Sequence, residues 1–159
     1  MPTLILMRHA KSDWSFAEPD HERPLNARGI ANARAMGDWL RAQGLAPDMA
    51  QVSTARRTRE TFGLLGLDTA AQFLPTLYHA EPEIMLDCLR EADGETVLMV
   101  GHNPGITEFA HMLLAEPPAH ERWDALPTCA TLVAAFDTPW NETTPGTGRA
   151  LHFVVPKEL

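Results

Sequence analysis

Three short segments hold the residue types from which a reaction could be built: Met7-Arg8-His9-Ala10, the run Ser53-Thr54-Ala55-Arg56-Arg57-Thr58-Arg59-Glu60-Thr61, and Val100-Gly101-His102-Asn103-Pro104. Two of them set a histidine directly after an apolar stretch. The middle one sets adjacent arginines between a short apolar stretch and a helical pattern. A neutral imidazole is a good nucleophile near pH 7, because its unperturbed pKa is about 6.5. It can take up a phosphoryl group and yield it to water, dividing one hard step into two. The equatorial oxygens of such a transition state need neutralising charge, which arginine forks supply without a metal. Arginine is otherwise unfavourable near a helix N-terminus, so a bound anion gives the cluster at 56–59 a reason. Together these residues point to phosphoryl transfer with His9 as nucleophile. His102, if protonated, adds a positive donor, and a helix N-terminus beside it adds backbone N–H groups.

Positioning such groups requires strands that end at them. Residues 3–7 form a continuous apolar run, as in a strand covered on both faces, and Thr96 to Val100 is a second. Ala50 to Ser53, Gln72 to Leu74, Leu132 to Phe136 and Leu151 to Val155 read as further strands. Asn26 suits the cap of a helix running to about Gln43, with Ile30, Ala33, Met36 and Leu40 as its apolar stripe and Gly44 as its stop. Helices are also predicted from Thr58 to about Leu65, from Pro82 with Ile84, Met85, Cys88 and Leu89 inward, and from about Pro104 with Ile106, Phe109, Ala110 and Leu113 inward. Asn103 and Pro104 read as N-cap and first helical residue of the last. The stretches 115–128 and 137–148 read as loops, the second as a long hairpin or surface connection. Alternation of strand and helix predicts an α/β fold, a three-layer α/β/α sandwich with a mostly parallel central sheet. Ligands in such sheets bind beyond the carboxyl ends of the strands, where His9 and His102 would lie.

Arg8-His9 directly after an N-terminal strand resembles the arginine–histidine–glycine signature of the histidine phosphatase superfamily, which includes the phosphoglycerate mutases. Ser53 to Thr61 is similar to that family's second motif, and Gly101-His102 resembles its late glycine–histidine pair. The segments Arg23-Pro24-Leu25-Asn26-Ala27-Arg28-Gly29 and Gly101-His102-Asn103-Pro104-Gly105 look most like its small SixA-type phosphohistidine phosphatase branch. The resemblance spans residues 4 to about 136, in the family's order. It implies a phosphoglycerate mutase-like fold, no metal and no cofactor, and transient phosphorylation of His9. It selects Arg57 over Arg56 as the pocket arginine beside Arg8 and His102, and leaves Arg56 and Arg59 at the surface. Arg23 and Asn103 are implied as substrate-binding or rim residues.

Two departures stand out. Ala10 replaces the usual glycine of the first motif, which is tolerable if no positive φ is needed there. The family's general-acid glutamate, in a Leu-x-Glu setting, is replaced by Leu77-Tyr78-His79, with Glu81 and Glu83 just beyond. The acid is then Glu81, His79 or Asp13, or none is needed. An alkoxide leaving group wants a proton in the transition state, whereas the imidazole of a phosphohistidine is far less basic and departs with less help. Weak acid candidates therefore favour phosphohistidine of a protein, or another activated phosphate, as substrate. The alternatives are a broad small-molecule phosphomonoesterase acting on phosphorylated metabolites and a non-catalytic phosphate-binding module.

The chain has 159 residues, of which 45% are hydrophobic, enough for one domain over 1–159 with one core. Its net charge of −8 argues against general nucleic-acid or acidic-membrane binding, while leaving room for a pocket of a few arginines. No apolar run reaches the roughly eighteen residues of a membrane span, and no signal peptide is read at the N-terminus. Cys88 and Cys129 are expected as buried free thiols, which places the chain in the cytoplasm. No histidine or cysteine pattern with zinc-ligand spacing occurs. Without a heptad pattern the simplest expectation is a monomer. Trp39 is expected in the core and Trp14 at the pocket rim.

Overall fold

The computed structural model describes residues 1–15 and 17–159. Six strands, β1 (Thr3–Arg8), β2 (Met49–Ser53), β3 (Ala71–Leu74), β4 (Thr96–Gly101), β5 (Thr131–Ala135) and β6 (Arg149–Val154), form one sheet in the order β3-β2-β4-β1-β5-β6. Pairing is parallel from β3 through β1, and β5 runs antiparallel to both of its neighbours. Four helices cover it: α1 (Ala27–Ala42), α2 (Arg56–Leu64), α3 (Pro82–Arg90) and α4 (Gly105–Leu113).

The period of two along a strand sorts the core into two layers. From β1, Ile5 and Met7 face one way and join Val52, Leu98 and Val100 against Ala33, Met36 and Leu40 of α1 and Leu65 at the end of α2. Leu4 and Leu6 face the other way and join Val97, Met99 and Leu132 against Met85 and Leu89 of α3 and Ile106, Phe109 and Leu113 of α4. Each side chain so buried contributes about 1.5–3 kcal/mol relative to exposure. The fold is thus the α/β arrangement expected, with helices on both faces of a mixed, mostly parallel sheet.

Asn26 caps α1 by accepting from the Gly29 amide at 2.8 Å, and Gly44, with φ +70°, ends it. Elsewhere the boundaries differ from expectation. α2 begins at Arg56, so the arginines lie in its first turn rather than before it. α4 begins at Gly105, and Pro104 rather than Asn103 holds its cap position, with no side-chain cap. Ile84 is exposed, because α3 turns Met85, Leu86 and Leu89 inward. Ile30, Trp39 and Cys88 are half-buried rather than core residues. Cys129 is buried, and both thiols are free. The segment 137–148 joins the antiparallel neighbours β5 and β6, and carries a short turn at Trp140–Glu142 whose indole is buried. Among the described residues no helix is long and apolar enough to cross a membrane.

Candidate active site

Strand register brings the two histidines together. In the β1/β4 ladder Arg8 stands opposite Gly101, so His9 and His102 are the next residues on neighbouring parallel strands. Their ring centroids are 5.3 Å apart. β2 lies on the other side of β4, ending at Ser53, and the first turn of α2 then delivers Arg57. Thr61, one turn further on, ties two motifs together: its hydroxyl accepts from the Ala10 amide at 3.0 Å and donates to the Arg57 carbonyl at 2.7 Å. Ala10 is fully buried and lies outside the positive-φ residues, so its methyl group is accommodated where glycine is usual.

The hydrogen bonds fix which atoms are free. His9 Nδ1 lies 2.7 Å from the Ala10 carbonyl, which can only accept. The ring proton therefore sits on Nδ1, and Nε2 keeps the lone pair. His102 Nε2 lies 2.7 Å from Ser53 Oγ, and Ser53 Oγ accepts from the Ala55 amide at 3.4 Å. Among the described residues His102 Nε2 is the one acceptor within reach of the Ser53 hydroxyl, so that proton is assigned to Nε2, and Nδ1 carries the ring proton. Arg8 is held by donation from Nη1 to the Leu126 carbonyl at 3.0 Å. Among the described residues six buried side-chain nitrogen or oxygen atoms lack a hydrogen-bond partner, and four of them are Arg8 Nε, Arg23 Nε, Arg57 Nε and His102 Nδ1. Buried donors seldom go unpaired; four in one cluster are donors suited to an oxyanion.

Asp20 organises the arginines. Its carboxylate accepts from Arg23 Nη2 at 2.9 Å, from Arg57 Nη2 at 3.1 Å and from the Tyr78 hydroxyl, and its carbonyl accepts from Arg57 Nη1 at 2.7 Å. Arg23 also donates to Ser12 Oγ, and its guanidinium lies 3.6 Å from the centre of the Trp14 ring. His79 stands on the same carboxylate, with Nε2 3.4 Å from Asp20 Oδ2 and 3.3 Å from Arg57 Nη2. Its ring stacks on Tyr78 at 4.1 Å and meets His102 edge-on at 5.4 Å. The His79 backbone has φ +52°, a left-handed conformation that costs a non-glycine residue roughly 1–3 kcal/mol.

The electrostatics follow from burial and this clustering. Burial holds His9 down to about 3, offset in part by its bond to Ala10 and deepened by the charges of Arg8, Arg57 and Arg23. His102 is lowered to about 2 by burial, then by His9, Arg57 and His79, with Asp20 opposing. Burial alone would raise the Asp20 carboxyl, but the Tyr78 hydroxyl and the two arginines outweigh it and hold it well below the carboxylate range. Burial and Arg57 lower Arg8. With neutral imidazoles, the three guanidiniums of Arg8, Arg23 and Arg57 against one carboxylate leave two positive charges, the complement of a phosphate dianion.

The structure thus brings together His9, Arg8, Arg57, His102 and Arg23. Asn103, Glu81 and Asp13 make no direct bond to these side chains. Asn103 Nδ2 donates at 2.9 Å to the Leu126 carbonyl that also holds Arg8, and Oδ1 accepts from Thr107 Oγ1 at 2.6 Å, so it braces the loop beside Arg8. Glu81 sits at the cap of α3 and makes no hydrogen bond or ion pair with the cluster, and Asp13 is taken up by Ser15. Of the three acid candidates only His79 reaches the cluster. Arg56 and Arg59 pair with Glu60 and Glu22 at the surface. Asp20, Tyr78 and the Ser53 hydroxyl were not singled out for roles in the sequence; the one available signal for Asp20 was its place three residues before Arg23 in a short turn. Among the described residues no group of three or more His, Cys, Asp or Glu side chains could hold a metal ion.

The model of the histidine phosphatase superfamily (branch 1) matches residues 4–79. An uncharacterized protein of Mycobacterium tuberculosis is 34% identical over 158 residues, covering 95% of this chain and 100% of its own. Among solved structures, a SixA protein from Nakamurella multipartitia superposes with a TM-score of 0.82 at 29% identity, over 97% of each chain. A protein histidine phosphatase SixA complexed with tungstate gives 0.80 at 23% identity over 98% of each, a likeness of fold.

Proposed function

The chain belongs to the histidine phosphatase superfamily, and from that premise we propose that it hydrolyses phosphohistidine on a protein substrate through a phosphorylated His9. The observation that carries this reading is the cluster of four unpaired buried donors, Arg8 Nε, Arg23 Nε, Arg57 Nε and His102 Nδ1, around a nucleophile whose free atom is defined. Nε2 of His9 attacks phosphorus; the substrate ring, protonated on its other nitrogen, takes the electron pair of the breaking P–N bond and leaves as neutral imidazole, while His9, protonated on Nδ1, carries the phosphoryl group as a phosphoimidazolium. Water then attacks the phosphorus on His9, and the P–N bond breaks to return neutral His9 and inorganic phosphate. The guanidiniums and His102 Nδ1–H bind the equatorial oxygens in both steps, and their preorganisation is worth about two to three orders of magnitude per donor. Because His9 is neutral far below pH 7, no proton need be removed before attack.

Two observations favour the protein phosphohistidine. The imidazole leaving group needs little acid assistance, and Asp20, the carboxyl group among the described residues of the cluster, is held ionised by the Tyr78 hydroxyl and the arginines. The likeness to the SixA protein extends over nearly the whole chain. The test is release of phosphate from a phosphohistidine-bearing protein: wild type should turn over, His9→Ala should not, and full activity in His9→Ala would refute the nucleophile.

One observation favours a second reading, hydrolysis of ordinary phosphomonoesters. His79, held between Asp20 and Arg57, could deliver a proton to an alkoxide. The readings separate on His79→Ala. If phosphohistidine is the substrate, that variant should lose less than about threefold on it. A proton donor for alkyl phosphates should cost about a hundredfold or more on those.

A further inference from the structure

A second group of cations lies outside the pocket, on residues distinct from it. Among the described residues six Lys and Arg side chains have no carboxylate within ion-pair distance: Arg8, Lys11, Arg28, Arg34, Arg122 and Lys157. Three of them, Arg28, Arg122 and Lys157, line one cleft together with Asn32, Pro127 and Thr128. In a chain with 21 acidic residues and 13 basic ones, three unpaired cations side by side oppose the general trend. Glu158, beside Lys157, is committed elsewhere, to His120 at 3.0 Å and to the Val155 amide at 3.0 Å.

The cleft is lined in part by chain that flanks residues bonded to Arg8 and His9. Pro127 and Thr128 form part of its wall. The residue before them, Leu126, gives its carbonyl to Arg8, and the residue after them, Cys129, donates its amide to the His9 carbonyl at 2.9 Å. On the opposite wall, Arg28 and Asn32 lie one turn apart on α1. That helix rests directly on the chain just beyond His9: a Cβ at Gly29 would lie 2.1 Å from the Lys11 carbonyl oxygen. The cleft measures about 260 Å³. That is below the roughly 300–1,000 Å³ of a small-molecule pocket, so it suits one or two side chains of a larger partner.

We propose that the cleft of Arg28, Arg122 and Lys157 is a docking site for an acidic segment of the phosphoprotein substrate, seated beside the phosphorylated residue. This deepens the phosphohistidine reading and rests on it. A chain of net charge −8 repels an acidic partner, and a local basic face next to the pocket reverses that repulsion where it matters. Three cations in a small cleft fit a few carboxylates; a nucleic acid or an anionic membrane calls for a broad basic face.

The triple variant Arg28→Ala/Arg122→Ala/Lys157→Ala tests this. With a phosphohistidine protein of acidic surface at low salt, KM should rise about tenfold and kcat hold, since surface charge steers encounter more than chemistry. With p-nitrophenyl phosphate both constants should be unchanged, and the salt dependence of kcat/KM for the protein should flatten. An unchanged KM for the protein, or equal losses on both substrates, would overturn the proposal. A second measurement does not depend on turnover. Hexaglutamate titrated into the protein should shift the amide resonances of Arg28, Asn32 and Thr128 in wild type and not in the triple variant. Stronger shifts there from inorganic phosphate or a short oligonucleotide than from hexaglutamate, or no shifts at all, would overturn it. Binding of hexaglutamate in the cleft without turnover of any phosphohistidine protein would support the site while refuting the substrate reading above.

Discussion

Arg57 shows how much one side chain carries at the residue scale. It is almost wholly buried, spends both terminal nitrogens on Asp20, and keeps Nε unpaired. Arg57→Ala is expected to lower kcat/KM by about a hundredfold to a thousandfold, as for removal of one preorganised donor. Arg57→Lys should recover little of it, because an ammonium presents its three donors from one point and lacks the planar fork that spans the Asp20 carbonyl and carboxylate while Nε points elsewhere. Steady-state kinetics on one activated phosphate checks both, and near-complete rescue by lysine would show that charge alone is required. Among the expected residues that reached the cluster, Arg8, His9 and His102 were legible from motifs at strand ends, Arg57 from the motif that follows β2, and Arg23 from its segment before α1. Asp20 and Tyr78 were not, because a carboxylate that organises arginines from a short turn has no periodicity and no spacing of its own. The link of Asn103 to Arg8 through the Leu126 carbonyl was hidden for a related reason: a backbone acceptor carries no sequence mark.

At the scale of elements, the site depends on close backbone contacts between helix starts and the loops beside them. A Cβ at Gly105 would lie 1.9 Å from the Ala80 carbonyl, so the first turn of α4 touches the segment that carries His79. Gly105→Ala must push the two apart. A loss of about 2–4 kcal/mol is expected from urea unfolding, with activity falling beyond what the unfolded fraction explains; unaltered stability would show that the contact yields freely. Strands were the most legible elements. β1 and β4 announce themselves as unbroken apolar runs because both of their faces are buried. Helix starts were the least legible. α4 begins without a side-chain cap and α2 begins on Arg56, so neither offers the polar residue by which a start is read. The two-face packing of α3 on Leu86 rather than Ile84 was hidden for another reason. Adjacent apolar residues leave the helix phase open, and tertiary contacts decide it.

On the scale of the whole molecule, two buried neutral imidazoles make stability depend on pH. His9 and His102 hold pKa values of about 3 and about 2 in the fold, against about 6.5 in the unfolded chain. Between those values the unfolded chain binds more protons, so stability is complete above about pH 6.5 and falls as pH drops toward 3. The slope is about 1.4 kcal/mol per pH unit for each imidazole. Asp20, held below the carboxylate range, adds a loss of the same sign at more acid pH. The urea midpoint should therefore drop between pH 7.5 and pH 5, and His9→Ala/His102→Ala should drop less steeply. A midpoint constant over that interval would contradict the neutral, buried state of the pair. The sheet order explains why these groups are buried together at all. β1 and β4 are adjacent and central, so whatever follows them is enclosed by the loops after β2, β3 and β4.

The central claim is that His9 Nε2 becomes phosphorylated, because Nδ1 is committed to the Ala10 carbonyl. Rapid mixing with an activated phosphodonor, alkaline quenching and phosphorus NMR of the denatured protein would identify both the residue and the ring nitrogen. The expected result is one phosphoryl group on Nε2 of His9, absent from His9→Ala. A phosphoryl group on Nδ1 or on another residue, or turnover with no label under conditions that trap an intermediate, would contradict the account.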